Sequence, residues 1–338
     1  MILTRTPFRL PLGGGGTDLP SYYSKYGGFL VTAAINKYMY IHINRPALVH
    51  KIKVNYSRTE IVDHPDEIKH ELVRESLKLL NIGAPIEIHS MADVSAGTGL
   101  GSSSAYTVGL LNGLTRLIRH FMSVQELAEM ACHIEIDRLG KPIGKQDQYA
   151  SAFGGIIALE IEPSGKVHVT PLDIHSEVIR DFENHLMMFY THIERDANEI
   201  LKEESEKIQK ANPGNSSHEN SSEALQALHQ IKEIGHRSRD AILMGDVETY
   251  GKLLHEHWQI KKKISSKMSS PQIDQWYELA MENGAIGGKI MGAGGGGFFL
   301  FCVKNGKRKH LRAVLEQAGL RYMDFRFDFE GSRVLVNI

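Results

Sequence analysis

The sequence predicts a two-domain α+β protein, on three observations. At 338 residues the chain is longer than one hydrophobic core usually spans. Residues 28–57 are rich in β-branched and aromatic residues with partial alternation. Its tail reads strand, helices, strand, strand, helix, strand, an order that suits a split βαβ, ferredoxin-like layer with extra helices. Composition changes near residues 175–185, which sets the expected domains at 1–180 and 181–338.

The elements follow in order. Residues 28–57, "GFLVTAAINKYMYIHINRPALVHKIKVNYS", predict two or three strands. Ile68, Leu72, Leu77 and Leu80 mark a helix over 65–81, and "APIEIHSMAD" alternates as a strand. A helix runs from about Ser103 to His120, and another starts after Ser123, where Ser123 and Glu126 form a capping box. "GGIIALEIE" and "GKVHVTPLD" make a hairpin around Pro163–Gly165. "HLMMFYTHI" is a buried strand, 194–210 a charged helix, and "ANPGNSSHENSS" (211–222) a polar mobile loop. Helices follow over about 223–243 and 246–265, broken at Gly245-Asp246. A third starts with Ser270 as N-cap and Pro271 at the first position, and ends at Gly284. Two strands joined by glycines (285–303), a basic helix (307–318) and a last strand, "YMDFRFDF", complete the chain.

Composition excludes several classes of function. A net charge of −1 creates no field favouring nucleic acid or an anionic membrane. No run reaches the roughly 18 apolar residues of a membrane span, and no charged-then-apolar signal opens the chain. Cys132 and Cys302 sit in apolar surroundings and read as buried free thiols. The expected location is the cytoplasm. Homo-oligomerisation is left open. The 17 histidines suggest no metal centre: "HEHW" (255–258) lacks the spacing of a zinc motif and reads as surface. "KNGKRKH" (304–310) reads as a solvated helix start, and Trp258 and Trp276 as core.

The 32 glycines cluster at 10–23 ("LPLGGGGTDLPSYY"), 95–105 ("SAGTGLGSSSA") and 289–299 ("KIMGAGGGGFF"). Glycine is favoured where φ is positive or a ligand approaches the backbone. The middle cluster opens a helix, whose free N–H groups and partial positive charge attract phosphate. The serine hydroxyls at 102–104 add donors or Mg²⁺ ligands. The loop has neither the lysine of a Walker motif nor the G-x-G-x-x-G spacing of a dinucleotide fold, which disfavours a dinucleotide-dependent oxidoreductase. A second constellation, "HIEIDRLGKPIGKQDQYASAFGG" (133–155), holds Glu135, Asp137, Lys141, Lys145 and Asp147. A carboxylate such as Asp147, close to a cation and a phosphate site, can accept a hydroxyl proton.

Together the three clusters resemble the three motifs of the GHMP kinases, in order and over essentially the whole chain. Their second motif, P-x-x-x-G-L-G-S-S-A, stands here as "VSAGTGLGSSSA", with Val94 or Ser95 near the usual proline. The resemblance implies an N-terminal domain like ribosomal protein S5 domain 2 and a ferredoxin-like C-terminal domain. It implies that Gly97, Thr98, Gly99, Leu100, Gly101, Ser102, Ser103 and Ser104 hold the phosphates of ATP, and that Ser103 and Glu135 contact Mg²⁺. Asp147 matches the family's base, and Arg9 the residue that stabilises the reacting oxygen. Gly16, Thr17, Asp18 and Asp147 match the sugar site, and Gly294 and Gly295 lie in a third motif that packs on the phosphate loop.

Within the family, "RTPFRLPLGGGGTDLPSYYSKYGG" and "IGKQDQYASAFGG" are most similar to kinases of D-glycero-D-manno-heptose 7-phosphate. That implies transfer from ATP to the anomeric 1-hydroxyl, giving the 1,7-bisphosphate for nucleotide-heptose and surface polysaccharide. The expected partners are therefore a small sugar phosphate and ATP. Lys141, Lys145, Arg138 and Lys25 are the candidates in sequence for the 7-phosphate. Two alternatives stay open: a kinase of the same fold for fucose or galactose, and a non-catalytic ATP and sugar sensor.

Overall fold

The computed structural model describes residues 1–194, 197–210 and 219–338. Strands β1 (Ile2–Gly13), β2 (Gly28–Asn44), β3 (Ile52–Asn55), β4 (Thr59–Val62), β5 (Ile86–Ala92), β6 (Ile156–Ile161) and β7 (Val167–Pro171) belong to one eight-stranded sheet. The long β2 pairs with β6 through its first half and with β5 through its second. The β1 strand was not legible in the sequence because Pro7 and Pro11 interrupt its pattern. The structure places register shifts just after both, where a missing N–H is tolerated.

Helices α1 (Pro20–Tyr26), α2 (Glu71–Leu79), α3 (Ser102–Leu117), α4 (Val124–Cys132) and α5 (Gln146–Phe153) accompany this sheet. α3 is buried from Ser104 to Thr115, which explains why its apolar residues run all round the helix. The expected capping box is present: Ser123 N donates to Glu126 at 2.7 Å, and Glu126 N to Ser123 Oγ at 3.2 Å. α4 continues into a π-helical turn, His133–Arg138. Such turns recur at functional sites.

The second sheet contains β8 (Leu186–Tyr190), β9 (Ala285–Ile290), β10 (Phe298–Val303) and β11 (Arg321–Met323), ordered β11-β8-β10-β9 and antiparallel throughout. Fourth-first-third-second is the ferredoxin-like order that the tail predicted. Both faces of β8 and β10 are covered. Met187, Phe189, Phe299 and Phe301 pack with Trp258 and Trp276, while Leu186, Met188, Leu300 and Cys302 turn to the larger core. Around the sheet lie α6 (Ser176–His185), α7 (Ala197–Lys210), α8 (Glu219–Met244), α9 (Val247–Lys261), α10 (Pro271–Glu282) and α11 (Arg308–Gln317). Asp246 and Ser270 cap α9 and α10. Both cysteines are buried free thiols. Among the described residues no helix is long and apolar enough to cross a membrane.

Three expectations need correction. Of the polar stretch 211–222, residues 211–218 lie outside the described residues and 219–222 already belong to α8. Arg308 is not merely solvated, since its guanidinium donates to the carbonyls of Glu183, Asn184 and Leu186 and ties α11 to β8. The final strand stops at Met323; the chain then returns to the first sheet, where β12 (Arg333–Asn337) pairs with Ile2–Arg5. On the way, Phe327 bridges to Ile35, and Tyr38 donates to Asp328 at 2.9 Å.

Candidate functional site

The loop before α3 takes its shape from glycine. Gly97, Gly99 and Gly101 have φ of 79°, 83° and 75°, a left-handed alternation that L side chains resist. Gly101 caps α3 with no side-chain bond, so the first N–H groups of the helix point outward without an intrahelical partner. Thr98 is buried, its hydroxyl donating to Ser95 O at 3.0 Å, and Leu100 is buried beneath the loop. The loop thus offers backbone amides, a helix terminus and the Ser102 hydroxyl to an anion.

Arg9 reaches this loop from β1. It is 4% exposed, and its Nη1 donates to Gly99 O at 2.7 Å. Its Nε and Nη2 grip Asp147, in the first turn of α5, at 2.6 and 2.8 Å. Gly101 lies directly against this pair; a Cβ there would stand 3.0 Å from Asp147 Oδ2. Beside it, buried Asp18 accepts from Gly16 N at 3.1 Å and Gln146 N at 3.0 Å. Burial pushes the Asp18 carboxyl above its usual range, against the pull of those amides. Arg9, Gly16, Asp18 and Asp147 line one cavity.

Glu135 and Ser103 meet on the other side of α3. Glu135 is fully buried, at 0% exposure, on the π turn. Ser103 Oγ donates to its Oε2 at 3.0 Å, and Gln148 to its Oε1 at 3.0 Å. Burial raises the Glu135 carboxyl, offset in part by Lys141, whose Nζ lies 4.0 Å away. Among the described residues no three His, Cys, Asp or Glu side chains gather around a metal position. Two hard oxygen donors beside a phosphate-type loop fit Mg²⁺, which keeps several waters and takes its remaining ligands from a substrate.

Several expected residues play other parts. Thr17 is buried with its hydroxyl engaged by Gly14 O, Phe29 O and Phe29 N, so it holds the turn and does not face the cavity. The third motif does pack on the phosphate loop, but through Gly292 and Gly297, whose absent side chains admit Gly99 and the Thr98 carbonyl. Gly294 and Gly295 instead meet Met268. None of the four cations named for a distal phosphate lines the cavity. Lys141 pairs with Glu71, Arg138 with Glu75, and Lys145 donates to Gly165 O, while Lys25 stands exposed at the end of α1.

The cavity instead carries Glu204, His257, Lys261 and Lys289 from the second half of the chain. His257 corrects the surface reading of "HEHW": it is 1% exposed. His255 bonds the Tyr277 hydroxyl at 2.8 Å. Burial raises the Glu204 carboxyl to about 7. Of these four, only His257, in "HEHW", and Lys289, the first residue of the third glycine cluster, figure in the motifs read from the sequence.

Residues 69–155 match the family pattern described as GHMP kinases N terminal domain, and residues 216–319 the one described as GHMP kinases C terminal. Over 351 positions the chain is 31% identical to a D-glycero-alpha-D-manno-heptose 7-phosphate kinase of Campylobacter jejuni, covering 98% of this chain and 97% of that one. It is 25% identical to a galactokinase of Pyrococcus furiosus, over 91% and 90% of the two chains. A solved D-glycero-D-manno-heptose 1-phosphate kinase from Bacteroides thetaiotaomicron superposes with a TM-score of 0.81 at 25% identity, covering all of both chains. The galactokinase of Lactococcus lactis complexed with galactose shares the fold, with a TM-score of 0.77 at 20% identity over 98% and 94% of the two chains.

Proposed function

Since this chain belongs to the GHMP kinase family and is a sugar kinase, we propose that it moves a phosphoryl group from ATP to the anomeric hydroxyl of D-glycero-D-manno-heptose 7-phosphate. The observation that carries the chemistry is the Arg9–Asp147 pair lying against the Gly97–Gly101 loop at the mouth of α3. The amides of the loop and of the α3 terminus cradle the transferring phosphates. Asp147 accepts the proton of the attacking hydroxyl. Arg9 holds Asp147 in place and adds positive charge where the reacting oxygen turns negative. Asp18, fixed by two amides, orients the sugar, and Glu204 bonds a hydroxyl. The adenine occupies a second cavity beside the loop, lined by Asp93, Ser95, Thr98, Tyr190 and Tyr322. Most of the rate comes from positioning and charge stabilisation.

Ser103 and Glu135 would hold Mg²⁺, which neutralises charge on the triphosphate. Ser103→Ala and Glu135→Gln are each expected to raise the Mg²⁺ needed for half-maximal turnover, and to weaken the Mg²⁺ dependence of nucleotide binding in calorimetry. Titrations that overlay the wild type in both variants would return Glu135 to a purely structural role.

The heptose assignment rests on the named relatives, whose names place the phosphate at position 7 in one and position 1 in the other. It is tested by a panel at fixed ATP and Mg²⁺: heptose 7-phosphate, heptose 1-phosphate, free heptose, mannose 6-phosphate, fucose and galactose. Heptose 7-phosphate is expected to give the highest kcat/KM. A higher value for fucose or galactose overturns the heptose reading, and no turnover of any sugar supports a binding-only sensor.

A further inference from the structure

We propose that His257, Lys261 and Lys289 form an anion subsite that holds a phosphate already carried by the acceptor sugar, a reading that rests on the sugar-kinase function above. The subsite arises from close packing of α9 on β9. Gly287 and Gly251 let the helix lie directly on the strand: a Cβ on Gly287 would overlap the Gly251 carbonyl, and one on Gly251 would come within 2.7 Å of Ile286 Cβ. His257 and Lys261 are one turn apart on α9 and so share a helix face. The packing sets them beside Lys289 in the cavity that also holds Arg9 and Asp147.

Lys289 and His257 are buried in a way that calls for an anion. Lys289 is 2% exposed, and among the described residues no carboxylate lies within ion-pairing distance of it. Burial, with Lys261 and Arg9 nearby, drives its ammonium well below the usual range. Neither ring nitrogen of His257 has a hydrogen-bond partner among the described residues. Burial and the two lysines keep that ring neutral. Lys261 is anchored by a 2.7 Å bond to Gly292 O, which ties it to the third-motif turn.

Among the described residues, the acids that line the same cavity do not pair with Lys289. Asp147 is gripped by Arg9, and Asp18 by the amides of Gly16 and Gln146. Glu204, raised to about 7, carries only part of a charge near neutrality. Buried basic groups and unsatisfied donors are costly without a partner. A phosphate dianion supplies both the charge and the acceptors, and anchors the sugar away from its reacting hydroxyl. Such remote binding serves to position the reacting end.

The test compares kcat/KM for heptose 7-phosphate and for free heptose in the wild type, K261M, K289M, H257Q and K261R, with melting temperature and ADP binding as folding controls. Two charge-assisted contacts correspond to about a hundredfold preference for the phosphorylated acceptor in the wild type. Each of K261M, K289M and H257Q is expected to lose about tenfold or more on that acceptor and less than about threefold on the free sugar, while K261R keeps most of the preference. Equal losses on both acceptors would show that these groups serve the transferring phosphate, and would overturn the subsite, as would no loss on either. If K261M or K289M fails to fold, H257Q decides alone. A wild type that prefers an unphosphorylated sugar ends the subsite proposal and leaves the kinase standing. A wild type that prefers mannose 6-phosphate ends the heptose reading and supports the subsite, with the variants then compared on that acceptor and free mannose.

Discussion

Asp147→Asn is expected to lower kcat by about 10²–10⁴-fold, the range for loss of a general base, with ATP affinity nearly unchanged. The substitution keeps the shape of the side chain and removes its charge. It also turns one of the two Arg9 contacts, now 2.6 and 2.8 Å, into a donor facing a donor. Arg9 is almost wholly buried, so a stability cost of about 1–3 kcal/mol accompanies the change. Single-turnover kinetics well below the melting temperature separates the two effects. The loop amides and the α3 terminus are untouched, so ADP binding should hold. A variant whose kcat stays within threefold of the wild type would remove Asp147 from proton transfer and leave positioning as the whole of the mechanism.

Gly297→Ala is expected to lower stability by about 2–4 kcal/mol and to raise KM for ATP about tenfold or more. Its φ of 80° alone costs an L residue about 1–2 kcal/mol. The added Cβ would also overlap the Thr98 carbonyl, which is backbone of the phosphate loop. Neither side can yield cheaply. Gly297 N donates to Ile193 O at 2.9 Å, and Gly297 O accepts from Thr191 N and Thr191 Oγ1, both at 2.9 Å. The loop must therefore move, and its amides with it. Gly319→Ala is the control: φ there is 94°, but nothing lies within 4 Å of its Cβ. Denaturant unfolding and ADP calorimetry of both variants isolate the overlap. Equal effects in the two would mean that the seam between the third motif and the phosphate loop carries no strain.

The sequence by itself determined whatever depends on neighbours along the chain. The alternation of Gly97, Gly99 and Gly101 before an apolar helix, the Ser123–Glu126 box and the Ser270-Pro271 start are local geometries, and each was legible from residue type and spacing. The same is true of the order of elements behind the second sheet. Tertiary structure alone decided the partnerships across long separations. Arg9 lies 138 positions from Asp147, and β12 returns more than 300 positions to pair with β1, so no periodicity could announce either contact. It also changed two readings. Thr17, which the resemblance placed in the sugar site, has its hydroxyl engaged by three backbone groups. His257, read as surface in "HEHW", is buried on α9 and lines the cavity together with Lys289. Burial is a property of what packs on a residue, and what packs on His257 comes from strands and turns far away in the chain.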